Sequence, residues 1–488
     1  MQKIIKLISK HWPEIALFLF SFSVLLFFKK SFIQLDWDGF EYIRKIYLHQ
    51  KSDLFLGRIG YIYFFIPIWD IFKYLFHLSI LDFHHVIRFF NIIFGSLTIA
   101  LIYLTLKRIF RDWPIALGMA LILLFSPEFI ISIGEIRTEI PVFFFVFASY
   151  FSYVMAFEKK NRACLYLSAF LFGYAFEVRE SALFMIFFFP AYFISVKGWK
   201  TFWLKEAILF AAIMLFTAII GPIFFVITEG SKYLDKIKYW LSVGSYVDLT
   251  APLKYPYIIY SIINCGFRLQ VLSFLGLLTL FMGKEKNNLL VIVSLILPAL
   301  IGLCTLGNAT PTPRFFMICY PAFALLASIF IDFISDVFSS LLKTKQSKGV
   351  IYLVLLICFL LISFPHLSRY MKWDKEESKR LETYGLYLLN NFPENTVFLI
   401  GQNSSVMGNY FIPLTNSIKE VIWSVWEWPG KDLGKVAKIY LLLDNIIVID
   451  PSQFQFPNEK KDVEELMKEY RTSIFKIPGP YDLYMIKK

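Results

Sequence analysis

The residues best suited to chemistry are charges placed at the ends of apolar runs. Asp36 and Asp38 stand in Leu35-Asp-Trp-Asp-Gly-Phe-Glu-Tyr42. On a helix beginning near Asp38, Tyr42 lies one turn later on the same face. Glu135, Arg137 and Glu139 stand in Gly134-Glu-Ile-Arg-Thr-Glu-Ile-Pro141, Arg179 and Glu180 close Glu177-Val-Arg-Glu180, and Arg314 follows Pro311 and Pro313. A charge in hydrocarbon costs about 2.5–3.5 kcal/mol on insertion scales, so a charge in such a place usually has a use. A carboxylate can act as a general base or hold a divalent cation. A guanidinium suits a phosphate bidentately. Set against each other at the mouth of a membrane, the two suit a phosphate carried on a lipid tail. Structural roles compete at each position. Asp36 or Asp38 could cap an exposed helix, Glu135, Arg137 and Glu139 could satisfy one another, and Arg314 could be an interfacial anchor.

The elements that must position these groups are membrane spans. Of the 488 residues, 57% are hydrophobic and 18% charged, whereas soluble chains have roughly 45–50% apolar and about 25% charged residues. The five Cys show no CxxC or Cys/His spacing, so neither a disulfide framework nor a zinc site is indicated, and small buried hydrophobes are expected. The net charge of +12 sits largely in short loops between apolar runs. That distribution is a topology signal rather than a nucleic-acid footprint.

Hydropathy places spans near 14–32, 86–107, 113–133, 138–157, 163–178, 180–196, 205–228, 257–282, 288–307, 314–334 and 349–366. Gly60–Ile80 is also apolar but is interrupted by Asp70, Lys73 and His77, with Tyr61, Phe64, Phe65, Trp69, Phe72 and Phe76 at near-helical spacing. We read it as an amphipathic helix at the interface. Every second connection is then rich in Lys and Arg: Lys107, Arg108 and Arg111; Lys159, Lys160 and Arg162; Lys197, Lys200 and Lys205; Lys284 and Lys286; Lys343, Lys345 and Lys348. This is the pattern of cytoplasmic loops. The first external loop, with Lys29, Lys30, Arg44, Lys45, Lys51 and Arg58, is the exception.

The expected architecture is therefore an α-helical polytopic membrane protein with about eleven transmembrane helices plus juxtamembrane helices. Its membrane domain covers 1–366, with a first external loop at 31–85. A soluble C-terminal α/β domain, 367–488, follows on the external side. Within it, strands are expected at Thr396–Ile400, Val421–Val425, Ile446–Ile449 and Tyr481–Ile486, with helices at Lys375–Asn391 and Lys460–Tyr470. The N-terminus is cytoplasmic and the C-terminal domain extracytoplasmic, in the plasma membrane if the source is prokaryotic.

From Asp36 to about Ser328 the chain resembles the GT-C glycosyltransferases, in the branch of protein O-mannosyltransferases and lipid A aminoarabinose transferases. Asp38 and Tyr42 match that family's first-loop spacing, with Gly39 in place of its Glu. Gly57-Arg-Ile-Gly-Tyr61 stands where the family has a basic residue before a proline-rich juxtamembrane helix, but lacks the prolines. Arg88-Phe-Phe-Asn-Ile-Ile-Phe-Gly95, Leu124-Phe-Ser-Pro127, Glu139-Ile-Pro141, Arg179-Glu180 and Thr312-Pro-Arg-Phe-Phe-Met-Ile-Cys-Tyr-Pro321 follow in the family's order. The departures mark a divergent member and leave donor and acceptor open.

The resemblance implies inverting transfer of a hexose or pentose from a polyprenyl- or dolichyl-phosphate donor to an external lipid, glycan or protein acceptor. Asp38 would be the general base, and Glu139 would help place the acceptor or an optional metal. Arg58 and Arg314, with Arg137, would hold the donor phosphate, supported by Asp36, Tyr42, Arg88, Arg179 and Glu180. Either no cofactor is required or a divalent cation, Mg or Mn, sits on Asp36 and Asp38. A transporter or lipid-linked sugar flippase is the competing class, and an O-antigen ligase or polymerase a third. The chain shows no internal repeat of the kind transporters carry.

Overall fold

The computed structural model describes residues 11–28, 37–52, 56–198, 205–243, 266–282, 288–305, 317–342, 348–391, 396–400, 420–423, 446–449, 457–476 and 482–487. The chain divides into two compact units. The first joins Met1–Lys29, Lys51–Phe65 and Arg88–Met371, and the second joins Lys30–Gln50, Ile66–Ile87 and Lys372–Lys488.

The helices, in order, are α1 (Trp12–Phe27), α2 (Trp37–Tyr47), α3 (Ile59–Phe76), α4 (Ile80–Phe110), α5 (Trp113–Leu124), α6 (Pro127–Gly134), α7 (Glu139–Glu158), α8 (Arg162–Val178), α9 (Phe188–Lys197), α10 (Lys205–Glu229), α11 (Ser231–Val243), α12 (Phe267–Met282), α13 (Leu289–Thr305), α14 (Tyr320–Leu341) and α15 (Lys348–Asn391). Among the described residues, seven stretches are by length and composition long and apolar enough to cross a membrane, or eight if α5 and α6 form one bent span. Ile59–Phe76 is among the seven.

Breaks fall where the sequence supplies a reason. α5 and α6 meet at a 56° bend. There Ser126 precedes Pro127, the first residue of α6, and Pro is tolerated at a helix start while it disfavours helical conformation in the residue before it. α8 stops at Arg179, which is extended at φ −161°, and a 3-10 turn over Glu180–Met185 follows. α15, by contrast, runs through Pro365 without ending. The charged sequence after Pro365 continues the same helix to Asn391.

Small and hydroxyl side chains let the helices approach closely. Ser149 and Ser168 exchange hydrogen bonds with each other's carbonyls at 2.7 and 2.8 Å, joining α7 to α8. Ser328 donates to the Ile115 carbonyl at 2.9 Å and lies 2.8 Å from the Tyr352 hydroxyl. A Cβ at Gly118 would overlap both side chains. Cys319 is buried, as expected of a small hydrophobe, but Cys358 is exposed on α15.

Contacts between helix ends in the first unit sort into two layers. One layer contains Lys107 with Glu14 at 3.3 Å, Arg108 with Glu158, Arg162 with Glu206 at 3.1 Å, and a cluster around Lys348. The Lys348 ammonium lies 3.0 Å from both Asp332 and Asp336 and 3.7 Å from Asp112. Lys348→Met would leave three carboxylates facing one another. The pairs are partly exposed, so the expected loss is about 1–3 kcal/mol. A lower thermal midpoint in detergent, recovered by Lys348→Arg, would support this, and an unchanged midpoint would contradict it.

The other layer contains Arg58 with Glu180, Arg137 with Glu135, and Arg179 with Glu139. From Asn91 to its end α4 runs toward the Lys107 layer, as does α7, whereas α8 and α10 start in that layer and run the opposite way.

In the second unit, β1 (Thr396–Ile400), β2 (Glu420–Trp423), β3 (Ile446–Ile449), β4 (Arg471–Lys476) and β5 (Asp482–Lys487) form one sheet in the order β2-β1-β3-β5-β4. β1 pairs in parallel with β2 and β3, whereas β5 is antiparallel to both β3 and β4. Val421, Phe398, Val448, Met485 and Ser473 align across it. α16 (Pro457–Glu469) precedes β4, a strand that the sequence analysis did not anticipate.

Candidate active site

In the first unit, opposed charges gather at one end of the bundle. Arg58 precedes α3 and is 8% exposed. Its carbonyl accepts from Tyr61 and Ile62 at 3.1 and 3.0 Å, so the residue starts the helix. Its guanidinium pairs with Glu180. The neighbouring Arg179 pairs with Glu139 and donates to Thr138 Oγ1 at 3.3 Å. Arg137 Nε lies 2.5 Å from Glu135. Asn91 Nδ2 donates to the Glu135 carbonyl at 2.8 Å, and Arg88, one turn before Asn91, is fully buried.

These contacts form a chain. Arg58 touches Glu180, Arg179 touches Glu139, and Glu135 touches Asn91. Arg58 and Asn91 therefore share a layer, although α3 lies between them in sequence.

Further ions and aromatics join the same layer. Lys51 Nζ stands 2.6 and 2.7 Å from the two carboxylate oxygens of Glu229, the last residue of α10. The ammonium also lies 5.0 Å from the Phe225 ring and 5.5 Å from the Tyr233 ring. The Tyr233 hydroxyl donates to the Leu56 carbonyl at 3.1 Å. Burial, followed by the carboxylates of Glu177 and Glu229, pushes the Tyr233 phenol up to about 12, so it remains a donor at neutral pH. Glu177 accepts from Gly221 N at 2.7 Å, one residue before Pro222, which lies inside α10.

The second unit holds Asp38 in the first turn of α2. A carboxylate there faces the positive end of the helix dipole. Tyr42, one turn on, is 1% exposed. Glu41 and Lys45 are also buried and lie 3.8 Å apart. Tyr47, Trp69 and Phe83 form an aromatic cluster linking α2, the end of α3 and the start of α4. His49 and Asp70 meet at 3.0 Å, with both side chains about half exposed. Lys73 lies over Tyr47 and Trp69 at 5.8 and 5.7 Å.

Of the residues picked out from sequence, Arg58 and Glu180 come together, as do Arg179 and Glu139. Arg137 meets Glu135. Arg88 lies one turn from Asn91 in the same layer, and Asp38 with Tyr42 belongs to the second unit. Asp36 and Arg314 lie outside the described residues. Among the described residues, no group of three or more His, Cys, Asp or Glu is arranged to hold a metal ion. Sequence reasoning missed the partnership of Lys51, Glu229 and Tyr233. Lys51 was visible as a cation in the first loop, but Glu229 lies just past the span at 205–228, 178 residues away.

Residues 67–226 match the family described as dolichyl-phosphate-mannose-protein mannosyltransferase. That stretch contains Arg88, Arg137, Glu139, Arg179 and Glu180, and leaves Asp38, Arg58 and Arg314 outside it. Among solved structures, the chain is similar to ArnT from Cupriavidus metallidurans bound to undecaprenyl phosphate, at 10% identity and a TM-score of 0.58, with 98% of each chain covered. It is also similar to the archaeal oligosaccharyltransferase AglB from Archaeoglobus fulgidus in complex with an inhibitory peptide and a dolichol-phosphate. There the identity is 12% and the TM-score 0.56, over 98% of this chain and 74% of that one. No curated protein sequence matches the chain. The resemblance to GT-C glycosyltransferases read from the sequence is thus borne out by a family match and by fold.

Proposed function

We propose that this protein transfers a sugar, with inversion, from a polyprenyl- or dolichyl-phosphate donor to an acceptor on the external face of the membrane. The observation that carries the reading is the layer of paired guanidiniums and carboxylates at one end of a helical bundle. Its fold is that of proteins solved with undecaprenyl phosphate and dolichol-phosphate.

In this reading the Asp38 carboxylate takes the acceptor hydroxyl proton as the oxygen attacks the anomeric carbon. The bond from that carbon to the phosphate oxygen breaks, and its electron pair stays on the lipid phosphate. Arg58, Arg314 and Arg137 stabilise the charge that develops there. Glu139, held by Arg179, places the acceptor. The acceptor is a lipid, glycan or protein hydroxyl, and the sugar is a hexose or pentose. We assign the charge stabilisation to the arginines, with Mg or Mn on Asp36 and Asp38 as the alternative. Transfer that stops on adding EDTA and resumes with either ion would overturn that assignment.

The shared layer of Arg58 and Asn91 supports α3 as an interfacial helix that walls the lipid groove. The half-exposed His49–Asp70 pair on its second half supports the same placement. With α3 at the interface, this reading has eleven spans, a cytoplasmic N-terminus and an extracytoplasmic domain at 367–488.

A donor phosphate must compete with Glu180 for Arg58. Glu180→Gln removes the competing charge and is expected to tighten undecaprenyl phosphate binding about three- to tenfold. Unchanged or weaker binding in a lipid-phosphate titration would show that Glu180 does not oppose the ligand.

The function is tested with radiolabelled polyprenyl-phosphate sugar in membranes containing the protein. Label appearing on an acceptor supports the transferase. Label that only changes leaflet would instead identify a flippase.

A further inference from the structure

Arg58 does not hold its position alone. Its backbone is left-handed at φ +47°, and Gly57 before it is at φ +92°. Such a conformation is uncommon for a residue with a side chain, and it persists only where the surroundings over-determine it. Here the surroundings are specific. Ser52 N donates to the Gly57 carbonyl at 2.8 Å, drawing the ends of the 52–57 stretch together. Tyr233 holds the Leu56 carbonyl from α11. Lys51 is tied to Glu229 at the end of α10 and lies against the rings of Phe225 and Tyr233. The Lys51 side chain also packs where a Cβ on Gly57 would come, 3.2 Å from its Cδ. Ile59, the first residue of α3, packs with Phe225 and Tyr233 in one buried cluster.

We propose that Lys51, Glu229 and Tyr233 are positioning residues: they clamp the turn that aims the Arg58 guanidinium and so set the affinity for the lipid phosphate. This rests on the reading of Arg58 as a phosphate ligand. The clamp couples two external segments. One is the first loop, which carries Arg58. The other is the α10–α11 corner, from which the connection to α12 departs. A movement at that corner, such as one made by an acceptor, would change how tightly the donor is held.

The clamp is separable from the ligand. Glu229→Gln and Lys51→Met each break the ion pair, Tyr233→Phe removes only the hydrogen bond to Leu56, and Lys51→Glu combined with Glu229→Lys reverses the pair. The probe is undecaprenyl phosphate, titrated into the full chain in nanodiscs, with the thermal midpoint measured on the same samples. The two ion-pair variants should raise the Kd about tenfold, and Tyr233→Phe about threefold, at an unchanged midpoint. The reversed pair should recover most of the affinity. If these variants bind like the parent while Arg58→Ala binds weakly, the clamp is refuted and the phosphate reading stands. If the variants lose affinity only in step with the thermal midpoint, or the reversed pair recovers none of it, the clamp is merely structural and the proposal fails. If Arg58→Ala also binds like the parent, the phosphate reading itself fails.

Discussion

Asp38→Asn is expected to abolish sugar transfer while leaving the protein folded and its affinity for undecaprenyl phosphate unchanged. The amide matches the carboxylate in size but cannot take the acceptor proton. Removing a positioned general base typically lowers the rate by about 10²–10⁴-fold. The structural effect is small by comparison, because a first-turn acidic residue on a helix contributes about 0.3–1 kcal/mol through the helix dipole. The buried neighbours Tyr42, Glu41 and Lys45 keep α2 in place. Single-turnover transfer, measured beside lipid-phosphate binding, separates the two effects. Turnover like that of the parent would remove Asp38 from the chemistry, and a parallel loss of binding would make it part of the donor site instead.

Arg58→Ala should have the second largest effect, raising the Kd for undecaprenyl phosphate by about ten- to a hundredfold. Two causes act together. The ligand loses a planar fork that can hold two phosphate oxygens. Glu180 also loses its partner and presents an uncompensated charge to the incoming phosphate. The second cause is separable, because adding Glu180→Gln to Arg58→Ala should recover part of the loss. Arg58→Lys keeps the charge without the fork, so its affinity should fall between those of parent and Ala variant. Equal affinity in all of these proteins would show that the phosphate binds elsewhere.

The charges at the span ends were legible in the sequence because hydrocarbon leaves few places for them. Glu135, Arg137, Glu139, Arg179 and Glu180 stood out for that reason, and the structure places all five in one layer. Their pairing was not legible. Arg58 and Glu180 are separated by 122 residues, and only the folded bundle brings them together. Lys51 and Glu229 were hidden in the same way. The break at Arg179 could be read from charges interrupting an apolar run, and the bend after Ser126 from the Pro that follows it. The continuity of α15 through Pro365 could not, since a proline inside an apolar helix can be accommodated by its neighbours. β4 was missed because Arg-Thr-Ser-Ile-Phe-Lys lacks the apolar run that marked the other strands; its partner β5 supplies the pairing. α3 was the most consequential ambiguity. Its length and composition satisfy a crossing, whereas the interfacial placement rests on Asp70, Lys73 and His77 interrupting the apolar run and on the alternation of basic loops.

In the proposed function a lipid phosphate binds in the layer holding Arg58, Arg179 and Glu139. A structure of the protein with undecaprenyl phosphate bound would locate it. The phosphate is expected within hydrogen-bonding distance of the Arg58 guanidinium, with the Arg58–Glu180 pair opened to admit it and Glu139 still held by Arg179. A phosphate bound at the opposite end of the bundle, beside Lys107 and Lys348, or one that leaves the Arg58–Glu180 pair intact and out of reach, would contradict it.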